Sequence, residues 1–413
     1  MGGPIEEARI VRPQVPELLA PAGDMERLLF ALRYGADAVY LAGQRFGMRA
    51  AAGNFDETEL RRAVVLCRDR GVKVYLTCNA IPRNADLADL PEFLAFAQEL
   101  GVDALIIGDM GVFAMAGRYA PRVERHISTQ AGILNVEAAR AWHGLGASRV
   151  ILAREMNLAE IAELKAKGPR DLEVEVFVHG AMCVSFSGRC LLSQYMAGRD
   201  ANQGSCAQPC RWKYHLVEET RPGQYMEITE DEGTHILNAR DLNMIAHLPD
   251  ILATGVDSLK IEGRAKSFYY AAVVTNAYRK ALDELKAGEA VDPIWIAEVE
   301  RVSHRAYATG FFYDESGGGQ YTDDALYIRG SQVVAVVEDC DADGLATVSQ
   351  RNRFLLGDRL TLLTPADKPE TFVLEAMWSE DGEPLTTAPH PMMRVRVQLP
   401  HQVPGYSILR IDG

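Results

Sequence analysis

The chain has 413 residues, 48% of them hydrophobic and 24% charged, with 35 Gly and 19 Pro. That is the usage of a globular protein large enough for a barrel and an appendage, and it excludes disorder, collagen and coiled coil. The 43 basic and 57 acidic residues leave a formal charge of −14, which argues against non-specific polyanion binding over the whole surface, so any nucleic-acid site must be local. No apolar run approaches the roughly 18 residues of a membrane span. The stretch from Met1 to Pro16 carries Glu6, Glu7, Arg9 and Arg12 in place of an apolar signal core, so a cytoplasmic protein is expected.

From Pro16 to about Tyr278, short apolar runs alternate with amphipathic stretches, the pattern of parallel βαβ units. The runs are Glu17 to Ala20, Ala38 to Leu41, Val72 to Cys78, Ala104 to Ile107, Val123 to Ser128, Arg149 to Ala153, Leu172 to Val178 and Ser258 to Ile261. Most are apolar on both faces, as strands covered on both sides must be. Between them, Asp24 to Tyr34, Leu90 to Leu100, Val136 to Leu145 and Leu158 to Lys167 have helical periodicity. Eight βα units predict a closed (β/α)8 barrel of the TIM type over 16–310, with an open doubly wound sheet as the alternative.

About 80 residues separate the seventh run from the eighth, too many for a structureless loop. The segment, about 181–237, holds Cys183, Cys190, Cys206 and Cys210, and its stretches Lys213 to Thr220 and Tyr225 to Thr229 predict a β-hairpin. After Gly317-Gly318-Gly319, six β-rich runs from Val333 to Ile411 predict a small antiparallel β-barrel domain over 320–413.

Four of the seven cysteines therefore lie in one insertion, while Cys67, Cys78 and Cys340 are scattered. Four thiolates can hold zinc or an iron–sulfur cluster. Only the last pair approaches the C-x2-4-C knuckle of structural zinc sites, so the spacing leans towards iron–sulfur. Two of the four could instead be buried core cysteines, and Cys78, at the end of the third strand, could replace one of them.

A barrel gathers its functional groups at the carboxyl ends of its strands, and those ends carry Asn79, Asp109, Gln130, Glu155, His179, Asp241, Lys260, Glu262 and Arg264. His179 could equally hold a structural hydrogen bond, and Glu262 with Arg264 could be an ion pair closing the barrel. His126 ranks below His179, its direction left open by the alternation. Within the cysteine segment, Arg189, Arg199, Arg211 and Lys213 face only Asp200, interleaved with Tyr195, Trp212 and Tyr214. Basic residues beside stacking aromatics suit single-stranded RNA, although an ordinary surface segment has the same composition.

The stretch from Glu175 to Ser193, EVFVHGAMCVSFSGRCLLS, resembles the signature of the collagenase-like peptidase family U32. Glu17 to Gly23, Asn202 to Trp212 and Asp257 to Arg264 resemble it too, so the likeness spans about the first 310 residues. The resemblance implies an oxygen-independent hydroxylase more than a protease. It implies a 4Fe-4S cluster on Cys183, Cys190, Cys206 and Cys210, and a branch that makes 5-hydroxyuridine at a tRNA wobble position. Its sister branches act on ribosomal RNA or quinones. The expected partners are a tRNA anticodon loop, an electron donor and a small-molecule co-substrate, prephenate, with no membrane. His179, Glu155 and Glu262 are the candidate acid–base residues. Gln130, Asp241, Lys260, Arg264, Arg211 and Trp212 are the candidate substrate contacts. No nucleophile elbow, HExxH motif or cysteine-protease neighbourhood supports a peptidase.

Overall fold

Each apolar run becomes a strand because it is covered on both sides, by the barrel interior within and by helices without. A computed structural model describes residues 15–48, 53–183, 185–212, 216–217, 225–226, 239–313, 328–365 and 367–413. In chain order, β1 (Glu17–Pro21) leads to α1 (Met25–Arg33), β2 (Ala38–Leu41) to α2 (Glu57–Arg68), and β3 (Lys73–Cys78) to α3 (Leu90–Leu100). Then β4 (Ala104–Ile107) leads to α4 (Met110–Tyr119), β5 (Glu124–Ile127) to α5 (Val136–Gly144), and β6 (Arg149–Ile151) to α6 (Leu158–Lys167). Helix ends follow local chemistry. Asp56 caps α2 and Asn157 caps α6 in capping boxes, and Gly101 closes α3 with a left-handed φ of 71°.

The insertion leaves β7 (Glu173–Ala181) and contains α7 (Leu192–Ala197) and the short strands β8 (Leu216–Val217) and β9 (Tyr225–Met226). β8 and β9 pair antiparallel, as the hairpin requires, while its turn and Gly317 to Gly319 lie outside the described residues. The chain re-enters through β10 (Asp241–Asn243), α8 (Leu248–Ala253), β11 (Ser258–Ile261), the long α9 (Phe268–Ala287) and α10 (Pro293–Glu298). β11 pairs parallel with both β1 and β7, which closes an eight-stranded parallel barrel and removes the open-sheet alternative. An antiparallel addition lies outside the βα pattern of the sequence. β10 runs antiparallel to the end of β7 and pairs with β12 (Tyr307–Ala308), so Asp241 lies on an added strand beside the barrel.

The tail is an antiparallel domain. Its strands are β13 (Ser331–Cys340), β14 (Leu345–Gln350), β15 (Phe354–Leu355), β16 (Arg359–Leu363), β17 (Glu370–Val373), β18 (Met377–Ser379), β19 (Thr387–Ala388), β20 (Arg394–Gln398) and β21 (Ile408–Asp412). Seven of them form one sheet in the order β17-β16-β21-β13-β14-β20-β18, and β15 pairs with β19. The domain docks on the barrel's outer helices. Leu363 and Ile408 join the barrel's apolar cluster, and the Arg410 guanidinium donates to both carboxylate oxygens of Glu298 at 2.6 and 2.7 Å. Among the described residues no helix is long and apolar enough to cross a membrane.

Candidate functional site

Two glycines seat the end of β11 at the barrel mouth. A Cβ on Gly23 would meet the Arg264 carbonyl oxygen at 2.1 Å, and one on Gly180, whose φ is 107°, would meet that of Glu262 at 2.2 Å. Glu262 and Arg264 thus sit where β1, β7 and β11 converge.

The mouth holds a cavity of about 120 Å3 lined by Tyr40, Thr77, Gln130, Arg154, Lys260, Glu262 and Arg264, with Ser187 and Gly188 of the insertion as its lid. Lys260 donates to Glu175 at 2.9 Å and lies over the Tyr40 ring. Arg264 donates to Thr77 at 3.1 Å, and Arg154 stacks on Phe177 at 3.9 Å. The Glu262 carboxylate accepts from Tyr40 at 3.4 Å and lies 3.9 Å from Arg154. Three cations therefore line the cavity against one carboxylate. Gln130 is 4% exposed, and its buried Nε2 has no hydrogen-bond partner among the described residues. A buried amide donor left unpaired costs about 1–3 kcal/mol, so its cavity is suited to a ligand that accepts from it. A larger groove of about 400 Å3, between α2 and α3, is lined by Asp56, Glu57, Asp89 and Glu92 and contains none of the candidate site residues of the sequence.

The insertion folds over this mouth. Glu155 is its anchor: its carboxylate accepts from the Ser187 amide at 2.7 Å and the Ser187 hydroxyl at 2.9 Å. Ser187 has a left-handed φ of 45°, a strained conformation for a residue with a Cβ, so the anchor holds the chain against its local preference. Asn202 accepts from the Ile81 amide on the opposite side of the mouth. Both oxygens of Glu155, an acid–base candidate in the sequence, thus accept from the lid. Replacing Glu155 with Ala should therefore loosen the lid alone. Hydrogen bonds to a charged group contribute about 1.5–3 kcal/mol, so amide exchange across the insertion should accelerate roughly tenfold or more. Hydrogen-exchange mass spectrometry checks this, and unchanged protection of the segment after Ser185 would refute it.

All four insertion cysteines are free thiols, with Cys183 and Cys206 exposed and Cys190 and Cys210 half-buried. Burial pushes the Cys210 thiol up, and the charges of Cys183, Cys206 and Cys190 push it further against the opposing Arg211, so the other three lie within electrostatic reach of Cys210. The Leu192 amide donates to Cys190 sulfur at 3.4 Å and the Gln208 amide to Cys206 sulfur at 3.3 Å. Among the described residues no three His, Cys, Asp or Glu side chains converge on one point as ligands of a single ion would. Cys78 is buried, and its thiol is pushed up to about 12 by burial and by Asp109.

His179 and Asp241 do not line the cavity. His179 is 1% exposed, with one ring nitrogen 3.3 Å from the Tyr278 hydroxyl and the other 3.3 Å from the Tyr307 hydroxyl. Burial pushes its pKa down to about 3, so the ring is neutral near pH 7. Asp241 receives the Arg305 guanidinium at 2.6 and 2.9 Å, and although burial opposes it, Arg305 and Lys266 hold the carboxyl below the usual range. Burial pushes Lys266 down to about 8, Asp241 opposing and the nearby Arg211 and Arg305 charges reinforcing. Trp212 is 40% exposed, beside the thiols in sequence, and Tyr195 is 79% exposed. Lys213 and Tyr214 lie outside the described residues. His126 points into the barrel against the Tyr75 ring. Sequence reasoning missed Arg154, although its place just before Glu155 at the end of a barrel strand was a usable signal.

The family model for peptidase family U32 matches residues 23–321, and that for the peptidase family U32 C-terminal domain matches 329–410. The chain is 37% identical over 404 residues to "tRNA hydroxylation protein P1" of Bacillus subtilis, covering 96% of this chain and 94% of the relative. It is 36% identical over 439 residues to "tRNA hydroxylation protein P" of Escherichia coli, covering 95% and 96%. It is also 33% identical over 316 residues to a Porphyromonas gingivalis protein named "Collagenase", covering 73% and 74%. With barrel, cysteine insertion and tail all matched in order, this chain belongs to peptidase family U32.

Proposed function

We propose that this protein is an RNA-modifying enzyme that hydroxylates tRNA without dioxygen, forming 5-hydroxyuridine at the wobble position. The observation that carries the reading is the four-thiol insertion folded as a lid over a cation-lined barrel mouth. Near-full-length likeness to two proteins named for tRNA hydroxylation supports it. The likeness to a protein named collagenase keeps peptide cleavage as the rival.

Cys183, Cys190, Cys206 and Cys210 would hold a 4Fe-4S cluster. The donor set fits in kind: three thiols within electrostatic reach of Cys210, and two of the four already accepting from backbone amides. The four cysteines would suit a cluster better than zinc because only the last pair approaches the C-x2-4-C knuckle of structural zinc sites. Once bound, such a cluster supplies one-electron chemistry at the mouth.

The chain's own residues do the rest. Arg154, Lys260 and Arg264 favour a small anion in the cavity, the place for prephenate, a dicarboxylate. Gln130 would donate to one of its oxygens, and Glu262, the cavity's one carboxylate, is positioned to exchange a proton. A neutral uracil gains little from such a cavity. The base would instead approach between cavity and insertion, where Trp212 can stack and Arg211 can meet phosphate. Such an enzyme works in the cytoplasm with tRNA as its partner. With water as the oxygen source, exchanging C5–H for C5–OH releases two electrons and two protons. The turnover partner must therefore accept an electron pair, and an electron donor would serve only to reset the cluster.

Mass spectrometry of nucleosides from cells lacking this protein tests the proposal. Wobble uridine derivatives should be one oxygen atom lighter, restored by the wild type and not by Cys183→Ala. Intact tRNA with a hydroxyl missing from ribosomal RNA or quinone would move the protein to a sister branch. Intact nucleosides together with peptide cleavage by the purified protein would overturn the enzyme class.

A further inference from the structure

Beneath the cavity the barrel interior is charged. A TIM-type barrel is ordinarily filled by branched aliphatic side chains in layers. Here Lys260, on the cavity floor, donates to Glu175 Oε1 at 2.9 Å, and the other oxygen of Glu175 accepts from Arg149 at 3.0 Å. Arg149 continues to Glu17 at 2.7 Å and Glu173 at 2.8 Å, and the Ser258 hydroxyl shares its one proton between Glu17 at 3.1 Å and Glu175 at 3.2 Å. Glu175 is 0% exposed, Arg149 1% and Lys260 4%.

A buried ion stack is by itself a weak source of stability. Two buried ions lose more hydration than their attraction returns unless the geometry is excellent, and apolar residues of similar shape often do as well or better. The stack does have a consequence at its upper end. An ammonium has three donors, and Glu175 takes one of them from below. The Tyr40 and Phe177 rings flank the same nitrogen at 4.7 and 5.4 Å, which leaves the cavity side for the other two.

We propose that Glu175, braced by Arg149, is a positioning residue that holds the Lys260 ammonium aimed at the cavity floor for a carboxylate ligand. This rests on the reading of the cavity as an anion site. Glu175 never touches the ligand. It acts through Lys260, and Arg149 keeps its carboxylate from turning away.

Calorimetric titration of the full-length protein with prephenate tests both levels. Lys260→Met should weaken binding by tenfold or more. Glu175→Gln, which keeps the shape and removes the charge, should weaken it about as much, while Glu175→Asp, which keeps the charge and loses a methylene, should retain more affinity than Glu175→Gln. A purely structural role predicts the opposite order, because the isosteric amide would then be the milder change. The double variant Glu175→Gln/Lys260→Met should bind no worse than Lys260→Met, since both changes remove one interaction. Should Glu175→Gln fail to fold, Ser258→Ala decides, with a loss of about two- to fivefold expected from loosening Glu175 and unchanged affinity overturning the proposal. Lys260→Met binding like the wild type would defeat the anion reading itself. Loss in Lys260→Met with full affinity in a folded Glu175→Gln would leave the anion site standing and remove Glu175 from it.

Discussion

Anaerobically purified protein is expected to carry iron and acid-labile sulfide, and Cys183→Ala to lose both together with the visible chromophore. Each iron of a cubane needs its own thiolate, so one missing ligand opens a corner to solvent and oxidation. Cys183 is the sharpest test because it is exposed and leads the insertion, and its removal leaves the barrel core untouched. The matched controls are Cys78→Ala and Cys340→Ala. Both residues are buried and stand outside the insertion. Both controls should keep full iron. Loss of iron in Cys78→Ala would make that residue a ligand in place of one of the four. Zinc without sulfide would turn the insertion into a structural module and remove the redox chemistry from the proposed function.

His179→Gln is expected to flatten the acid sensitivity of the fold. The wild-type imidazole titrates near 3 in the folded state and about 6.5 once unfolded. The unfolded chain therefore takes up the proton first, so stability is complete above about 6.5 and is lost as the pH falls towards 3. Between pH 7 and pH 5 that amounts to about 2 kcal/mol. Glutamine can still bond to Tyr278 and Tyr307 and does not titrate. Asp241, His304 and Lys266 also face this pocket, but Asp241 is tied to Arg305 in wild type and variant alike. Urea-unfolding midpoints at the two pH values give the answer, and equal pH dependence in both proteins would refute the assignment. Wild-type acid sensitivity with lost activity in the variant would return His179 to the chemistry.

The placement of His179 away from the cavity has a specific cause. Along β7, Glu175 and Phe177 stand beside Ser258 and Lys260 of β11 and point into the barrel. The register then slips, so that Ile261 pairs with His179 while Lys260 pairs with Phe177, and Val178 is the extra residue. A one-residue slip turns every following side chain to the other face. His179 thus leaves the interior and packs against the tyrosines of α9, as nothing in the local alternation indicates. Asp241 was misplaced for a related reason: a three-residue strand carries too little pattern to distinguish a rim from an added antiparallel edge.

The sequence by itself determined the eight-stranded barrel, the insertion, the strand-rich tail and the grouping of four thiols. Those features rest on periodicity, spacing and a long local motif, which are properties of neighbours along the chain. The tertiary structure alone decided which side chains meet. Glu155 became the anchor of the lid because Ser187, far along the chain, folds back onto it. Lys260, Arg264 and Arg154 became one cavity only when the sheet closed on itself. The charges of Arg149 and Glu175 sit in short apolar strands and read locally as surface positions. Barrel closure buries them, because a strand's alternation sets which residues share a face and leaves to the curvature of the sheet which face becomes the inside.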